Sequence, residues 1–213
     1  MPITIEFRST YKHGKRKPCT HDYLVPTIVA LCRHHGGKRL LDLGCGNGAL
    51  CRELTDAGFR VVGIEPSESG ISIAKQLVPE GVFHQMGVYD NPDDMPEMRF
   101  DIAVSTEVVE HLFRPSALPK YAAAKLADGG LLIISTPYHG YLKNLLICLL
   151  NKWDHHHSPG WEGGHIKFWS RKSLSDMLGA NGFRILSFHG VGRVPWLWKS
   201  MIVVAKKSDQ QTL

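Results

Sequence analysis

Lys38-Arg39-Leu40-Leu41-Asp42-Leu43-Gly44-Cys45-Gly46-Asn47-Gly48 is the stretch on which the reading of this chain turns. Leu40, Leu41 and Leu43 make a short apolar run bounded by turn residues, the pattern of a buried parallel strand. Gly44, Gly46 and Gly48 follow at every second position. Glycine takes positive φ at little cost and has no Cβ, so such a loop lets the backbone approach a ligand closely. Ala49 to Leu54 reads as the first turns of a helix whose free N–H groups lie near the loop. Arg60-Val61-Val62-Gly63-Ile64 reads as a second strand, ending in Glu65. The unit is strand, glycine loop, helix, strand.

A carboxylate at the tip of the second strand of such a unit is placed to accept hydrogen bonds from a ribose diol. The spacing G-x-G-x-G differs from the G-x-G-x-x-G of dinucleotide folds, whose loop must hold a pyrophosphate. Asp42 adds a negative charge that repels a diphosphate and suits a cationic group such as an α-amino group. A nucleotide-dependent reductase is disfavoured on both counts. These residues resemble motif I and the acidic residue of class I S-adenosylmethionine (SAM) methyltransferases. The resemblance implies SAM as cofactor, with Asp42, Gly44, Cys45, Gly46, Glu65 and Pro66 on one side of its pocket. Many relatives end their third strand in Gly-Asp, the Asp bonding the adenine amino group. Here Gly87 is followed by Val88-Tyr89-Asp90. Tyr89 and Asp90 therefore share the candidacy for the adenine contact, and Thr106 closes the pocket after the fourth strand.

At 213 residues, with 43% hydrophobic and 21% charged residues, the chain has the composition of one soluble domain with a sizeable core. Net charge is +5. Part of the excess sits in Lys12-His13-Gly14-Lys15-Arg16-Lys17, which predicts a basic N-terminal arm over residues 1–20, able to attract an anion, nucleic acid or lipid headgroups. Five cysteines show neither C-x-x-C spacing nor a dense framework, as expected for reduced thiols in a cytoplasmic protein. The opening residues carry no long apolar core, which predicts no signal peptide. The longest apolar run, Leu145 to Leu150, is too short to span a bilayer.

In chain order, helices are predicted over Asp22–His35, Ala49–Ala57 and from Ser67 to Leu77, with strands ending at Leu43, Glu65, Val88, Ser105 and Thr136. Asp128-Gly129-Gly130 reads as a turn after a helix. Ser170-Arg171-Lys172-Ser173 opens a helix, and Phe183–Val191 and Ser200–Ala205 close the fold as a hairpin, before a polar tail from 206. The β-α alternation predicts an α/β, doubly wound, Rossmann-like sheet, mostly parallel, over one domain spanning 1–213. Its ligands lie beyond the carboxyl ends of the strands. Residues 137–169 break the rhythm as a substrate-side insertion or lid. Within it, Leu142 to Leu150 is apolar nearly all round a helix, a pattern that needs burial or a greasy partner. His155-His156-His157 follows in what reads as a solvated loop.

Thr106-Glu107-Val108-Val109-Glu110-His111 sits at the ligand edge. In a helical turn Glu107, Glu110 and His111 can share one face. Two carboxylates and one imidazole suit Mg²⁺ or Mn²⁺, and the same residues also serve simply to line a pocket. This E-x-x-E-H pattern resembles the ubiquinone-biosynthesis O-methyltransferases, where it is associated with a divalent metal near a catechol-like substrate. It also resembles the small-RNA 3′-terminal 2′-O-methyltransferases, where further histidines join the metal. His165-Ile166-Lys167-Phe168 extends the first resemblance. It is similar over residues 22–136 and more weakly over 160–205, while 137–160 matches neither family, so acceptor identity is not carried over. His165 and His111 are the candidate catalytic residues, as base or ligand, with His139 behind them. The function expected is SAM-dependent O-methylation of a small or lipid-like hydroxylated metabolite. An RNA 2′-O-methyltransferase and a non-catalytic SAM-binding subunit stand as alternatives. RNA is disfavoured because basic residues are not interleaved with aromatics in a stacking platform.

Overall fold

The computed structural model describes residue 14 and residues 17–208. Most of the basic run and the last five residues fall outside them. Helix α1 (His21–His35) precedes β1 (Arg39–Leu43), α2 (Ala49–Asp56), β2 (Arg60–Ile64), α3 (Glu68–Leu77) and β3 (Val82–His84). Then come β4 (Phe100–Thr106), α4 (Ala117–Lys125), β5 (Leu126–Pro137), α5 (Tyr141–Leu149), α6 (Trp153–His157), α7 (Arg171–Gly179), β6 (Phe183–Val191) and β7 (Ser200–Lys207). The strands form one seven-stranded sheet in the order β3-β2-β1-β4-β5-β7-β6. β1 pairs in parallel with β2 and β4, and β7 lies antiparallel to both β5 and β6. The strand order reverses between β1 and β4, and the crevice at such a switch point is where an open α/β sheet takes its ligand.

Alternation along the central strands divides the core between the two faces. Leu41, Leu43, Val62, Ile64, Ala103, Leu132 and Ile134 face α4 and α7, packing with Leu118, Tyr121, Leu174 and Leu178. Leu40, Val61, Ile102, Val104 and Ile133 face the other way, against Leu24, Ile28, Leu50, Leu54, Ile71 and Ala74 of α1, α2 and α3. These strands are covered on both sides, which is why they read as apolar runs. Leu132 is fully buried in the middle of β5. Leu132→Ala should cost about 2–5 kcal/mol, read in a urea melt as a lower midpoint at unchanged slope.

Five expectations are corrected. The third strand stops at His84 instead of continuing to Val88. It is an edge strand, and its chain turns away as Met86 N–H donates to His84 O and Asp90 N–H to Gly87 O. Asp128-Gly129-Gly130 is an irregularity inside β5, where register shifts between Phe100 and Ile102 of β4, and not a turn before a strand. His155-His156-His157 belongs to the helical turn α6, and the predicted polar tail begins after Lys207. Finally, α5 is helical as predicted, but its apolar residues are not buried. Leu149 is 71% exposed and Tyr141, Leu142 and Leu145 are exposed with it, whereas Lys143, at 5%, is the one buried residue of the helix. The helix is turned with its polar position inward. No helix among the described residues is long and apolar enough to cross a membrane.

Candidate active site

The glycine loop between β1 and α2 is held by two elements at once. Gly44 and Cys45 N–H groups both donate to Ile64 O at 2.9 Å, the end of β2. Gly44 has φ +83°, and a Cβ there would stand 2.7 Å from Val108 Cγ2. The loop after β1 therefore touches the loop after β4, across the switch point. Gly48, at φ +77°, would put a Cβ 2.9 Å from Ala74 of α3. Asn47 Nδ2 donates to Gly14 O at 2.7 Å, and Lys17 pairs with Glu53, so the described part of the N-terminal arm lies along the back of this loop.

Glu65 sits as predicted at the tip of β2. Its Oε2 accepts from Gly46 N–H at 3.2 Å and its Oε1 from Ser67 N–H at 2.9 Å. Each oxygen keeps a further lone pair for a ligand donor. Burial raises its pKa, and the two N–H groups pull it back down. Asp42 is 1% exposed; its Oδ2 accepts from Cys51 Sγ at 3.2 Å, while Oδ1 is buried with no hydrogen-bond partner. Burial pushes this carboxyl up to about 7. A buried acceptor without a donor is costly, and a ligand ammonium would satisfy it. Cys45 is buried against Gly63, and Pro66 lies under Gly87.

Beyond β3 the two adenine candidates separate. Asp90 folds back, its Oδ2 accepting from Gly87 N–H at 2.7 Å. Tyr89 is half-exposed; its hydroxyl accepts from Arg114 N–H at 3.1 Å, and the Arg114 guanidinium lies 4.9 Å from the ring centroid. Thr106 ends β4, half-buried at the same edge.

Glu107 and Glu110 do not share a helical face. Glu107 has φ +54°, a left-handed conformation uncommon outside glycine and concentrated at functional sites. The regular turn begins only at Val109. The Glu107 carboxylate is taken by Ser135 Oγ, donating to Oε1 at 2.9 Å, and by Ser200 Oγ, donating to Oε2 at 3.2 Å. Tyr23 O–H stands 3.4 Å behind Ser200 Oγ. Glu110 is fully buried: Thr136 Oγ1 donates to its Oε2 at 3.0 Å, and Oε1 has no partner. Its backbone carbonyl accepts from both Ile166 and Lys167 N–H, at 2.9 and 3.0 Å. That carbonyl delivers His165 to the site. Burial, and then the charge of Glu107, holds Glu110 well above the carboxylate range, and burial lifts Glu107 to about 7. Glu110 lies in the field of Glu107, so the two carboxyls do not titrate independently.

His165 stands against His111 with ring centroids 4.9 Å apart, and Trp161 lies beside both, edge-on to His111 and tilted to His165. His111 Nδ1 lies 3.2 Å from Gly164 O, which fixes that nitrogen as the N–H and leaves Nε2 a lone pair. Among the described residues Glu110, His111 and His165 bring one ligand atom each to within 4.8 Å of one another. Sequence reasoning had placed Glu107 in such a group, and the fold supplies His165 with Glu110 and His111 instead. The donor set fits a cation: the orphaned Glu110 oxygen offers lone pairs, a cation there would favour its ionised form, and the two imidazoles are depressed by burial, His165 to about 4. With two nitrogens to one oxygen it suits Mn²⁺, Fe²⁺ or Zn²⁺ better than Mg²⁺.

Next to His165 opens a cavity of about 240 Å³, lined also by His139, Lys143, His156, His157, Arg193 and Lys199. Of these the sequence had singled out only the histidines. Lys143 Nζ donates to Tyr138 O at 2.8 Å and to Lys199 O at 3.4 Å. Burial, then Arg193, brings its pKa down to about 8. The available signal was a lone lysine inside an apolar helix.

The family model described as "Methyltransferase domain" matches residues 20–187. Among curated relatives, the ubiquinone biosynthesis O-methyltransferase of Bradyrhizobium sp. (strain ORS 278) is 41% identical over 103 residues, 47% of this chain and 40% of that protein. The enzyme of the same name from Methylobacterium sp. (strain 4-46) is 34% identical over 122 residues, 50% of this chain and 48% of that one. The match thus spans less than half the length of these relatives. Two solved structures share the fold. Magnesium protoporphyrin IX methyltransferase from Synechocystis PCC 6803, with bound SAH, has TM-score 0.66 at 21% identity, covering 86% of this chain and 82% of that one. The [4+2]-cyclase SpnF has TM-score 0.67 at 18% identity, covering 87% and 80%. With strand order, glycine loop, acidic β2 tip and family model in agreement, the chain belongs to the methyltransferase domain family.

Proposed function

We propose that the protein is a SAM-dependent O-methyltransferase acting on a small or lipid-like hydroxylated metabolite, with a divalent metal held by Glu110, His111 and His165. One observation carries it: a buried, unpartnered carboxylate oxygen of Glu110 beside two imidazoles, at the same sheet edge as the Gly44–Gly48 loop and Glu65. The names of the O-methyltransferase relatives support the oxygen acceptor.

When bound, SAM supplies a methyl group on a sulfonium, and a divalent ion lowers the pKa of a hydroxyl brought to it. The chain's own residues do the placing. Glu65, already clamped to Gly46 and Ser67, receives the ribose hydroxyls, and Asp42 Oδ1 receives the α-ammonium. Tyr89, fixed by Arg114, flanks the adenine. Methyl transfer is an in-line displacement, so positioning the acceptor oxygen supplies much of the rate. His165 and His111 stay neutral at pH 7. An imidazole depressed to about 4 is a weak base but an available ligand, which makes ligation the better role for His165. The direct test is a mass-shift screen of host extract with isotopically labelled methyl-SAM, RNA included. A labelled hydroxylated metabolite supports the proposal; label only on RNA, on nitrogen, or nowhere overturns it.

Asp42 gives a pH-dependent prediction. Its pKa is about 7 in the fold against 3.8 when unfolded. Its neutral form is favoured by folding, so its contribution to stability is complete below the unfolded value and lost as pH rises toward 7. Asp42→Asn should melt higher than the wild type at about pH 8, with the gap closing toward about pH 4, while binding SAM more weakly by calorimetry.

A further inference from the structure

We propose that the cavity beside His165 recognises an anionic group, a carboxylate or a phosphate, carried by the methyl acceptor, and that Arg193, Lys199 and Lys143 hold it; this rests on the function proposed above.

The cavity has three cations and four histidines around it and no acidic side chain among its lining residues. Among the described residues none of Lys143, Arg193 and Lys199 forms a salt bridge; the other ion pairs of the chain lie elsewhere. Glu107 reaches Lys143 through its field, but its own oxygens are taken by Ser135 and Ser200. Positive charge is thus concentrated at the cavity with no carboxylate paired to it among the described residues, although Lys199 Nζ also lies 5.2 Å from the Tyr23 ring centroid. Burying a lysine is expensive, and here α5 does so by turning its leucines outward. Two carbonyls occupy two of the three Nζ protons, which leaves one for a ligand. His157, which also lines the cavity, has a buried Nε2 without a hydrogen-bond partner.

The cavity shares His165 with the Glu110–His111–His165 group. An acceptor anchored by its anion between Arg193 and Lys143 therefore presents its remainder to the reacting centre. At about 240 Å³ the cavity is smaller than the roughly 300–1,000 Å³ that encloses drug-sized ligands, so it takes the head of an acceptor. Arg193 and Lys199 come from the 192–199 loop between β6 and β7, beyond the residues 20–187 that the family model covers.

The test uses the full chain loaded with S-adenosylhomocysteine and follows Arg193 and His165 side-chain resonances by NMR. Benzoate, phenyl phosphate and neutral benzamide are titrated in turn. Saturable shifts with an anion and none with benzamide are expected, and whichever anion binds tighter identifies the source. Arg193→Gln, at an exposed position that does not threaten folding, should weaken that anion roughly tenfold with S-adenosylhomocysteine affinity unchanged. Benzamide binding as well as both anions, no saturable shift with either, or an unaffected Arg193→Gln overturns the inference. Failure to bind S-adenosylhomocysteine at all would instead strike the proposed function, so the two are separable.

Discussion

Glu110→Gln is expected to lower methyl transfer by about 10²–10⁴-fold while SAM affinity stays unchanged. Glutamine keeps the shape of the buried side chain and can still take the Thr136 hydroxyl, and the backbone carbonyl that receives Ile166 and Lys167 N–H is untouched. His165 therefore stays in place. What disappears is the free Oε1 lone pairs and the capacity to ionise beside a cation. The measurement is turnover at saturating SAM, beside calorimetry for SAM and metal content by mass spectrometry. Wild type in excess chelator should fall to the level of the variant. A variant fully active in chelator would refute the metal role.

Glu65→Ala has the second large effect, and it falls on the cofactor. Losing hydrogen bonds from ribose hydroxyls to a charged acceptor costs on the order of 1.5–3 kcal/mol, or roughly 10–150-fold in Kd. The variant also frees Gly46 and Ser67 N–H, so the loop loses its clamp as well as its ligand contact. Turnover at saturating SAM should recover most of the loss, because the Glu110 group is separate from this carboxylate. Equal SAM affinity in wild type and variant would remove Glu65 from the pocket.

The fold and half of the site were legible for a physical reason. β1, the glycine loop, α2 and β2 are contiguous, and their apolar runs, φ > 0 glycines and terminal carboxylate are local properties. What was not legible depends on distant partners. The left-handed Glu107 is held by Ser135 and Ser200, 28 and 93 positions along the chain. The meeting of Glu110 with His165 depends on one carbonyl capturing two N–H groups from the far end of the insertion, more than 50 positions along the chain. The third strand was read too long because alternation cannot show that an edge strand lacks a neighbour beyond its first residues. The orientation of α5 was hidden because seven of its nine residues are apolar and argue for one face outward or inward equally, and Lys143, through the carbonyls of Tyr138 and Lys199, decides it.

That orientation bears on the order in which parts of the molecule come loose. A helix that faces the sheet through an ammonium and two carbonyls gives up little apolar contact when it lifts, unlike β1 or β4, whose release would wet the whole core. Its local opening free energy is therefore set by a few polar contacts and falls at the low end of the molecule's range. Traffic past His165 can then occur many times within the lifetime of the folded sheet, with the cofactor half undisturbed.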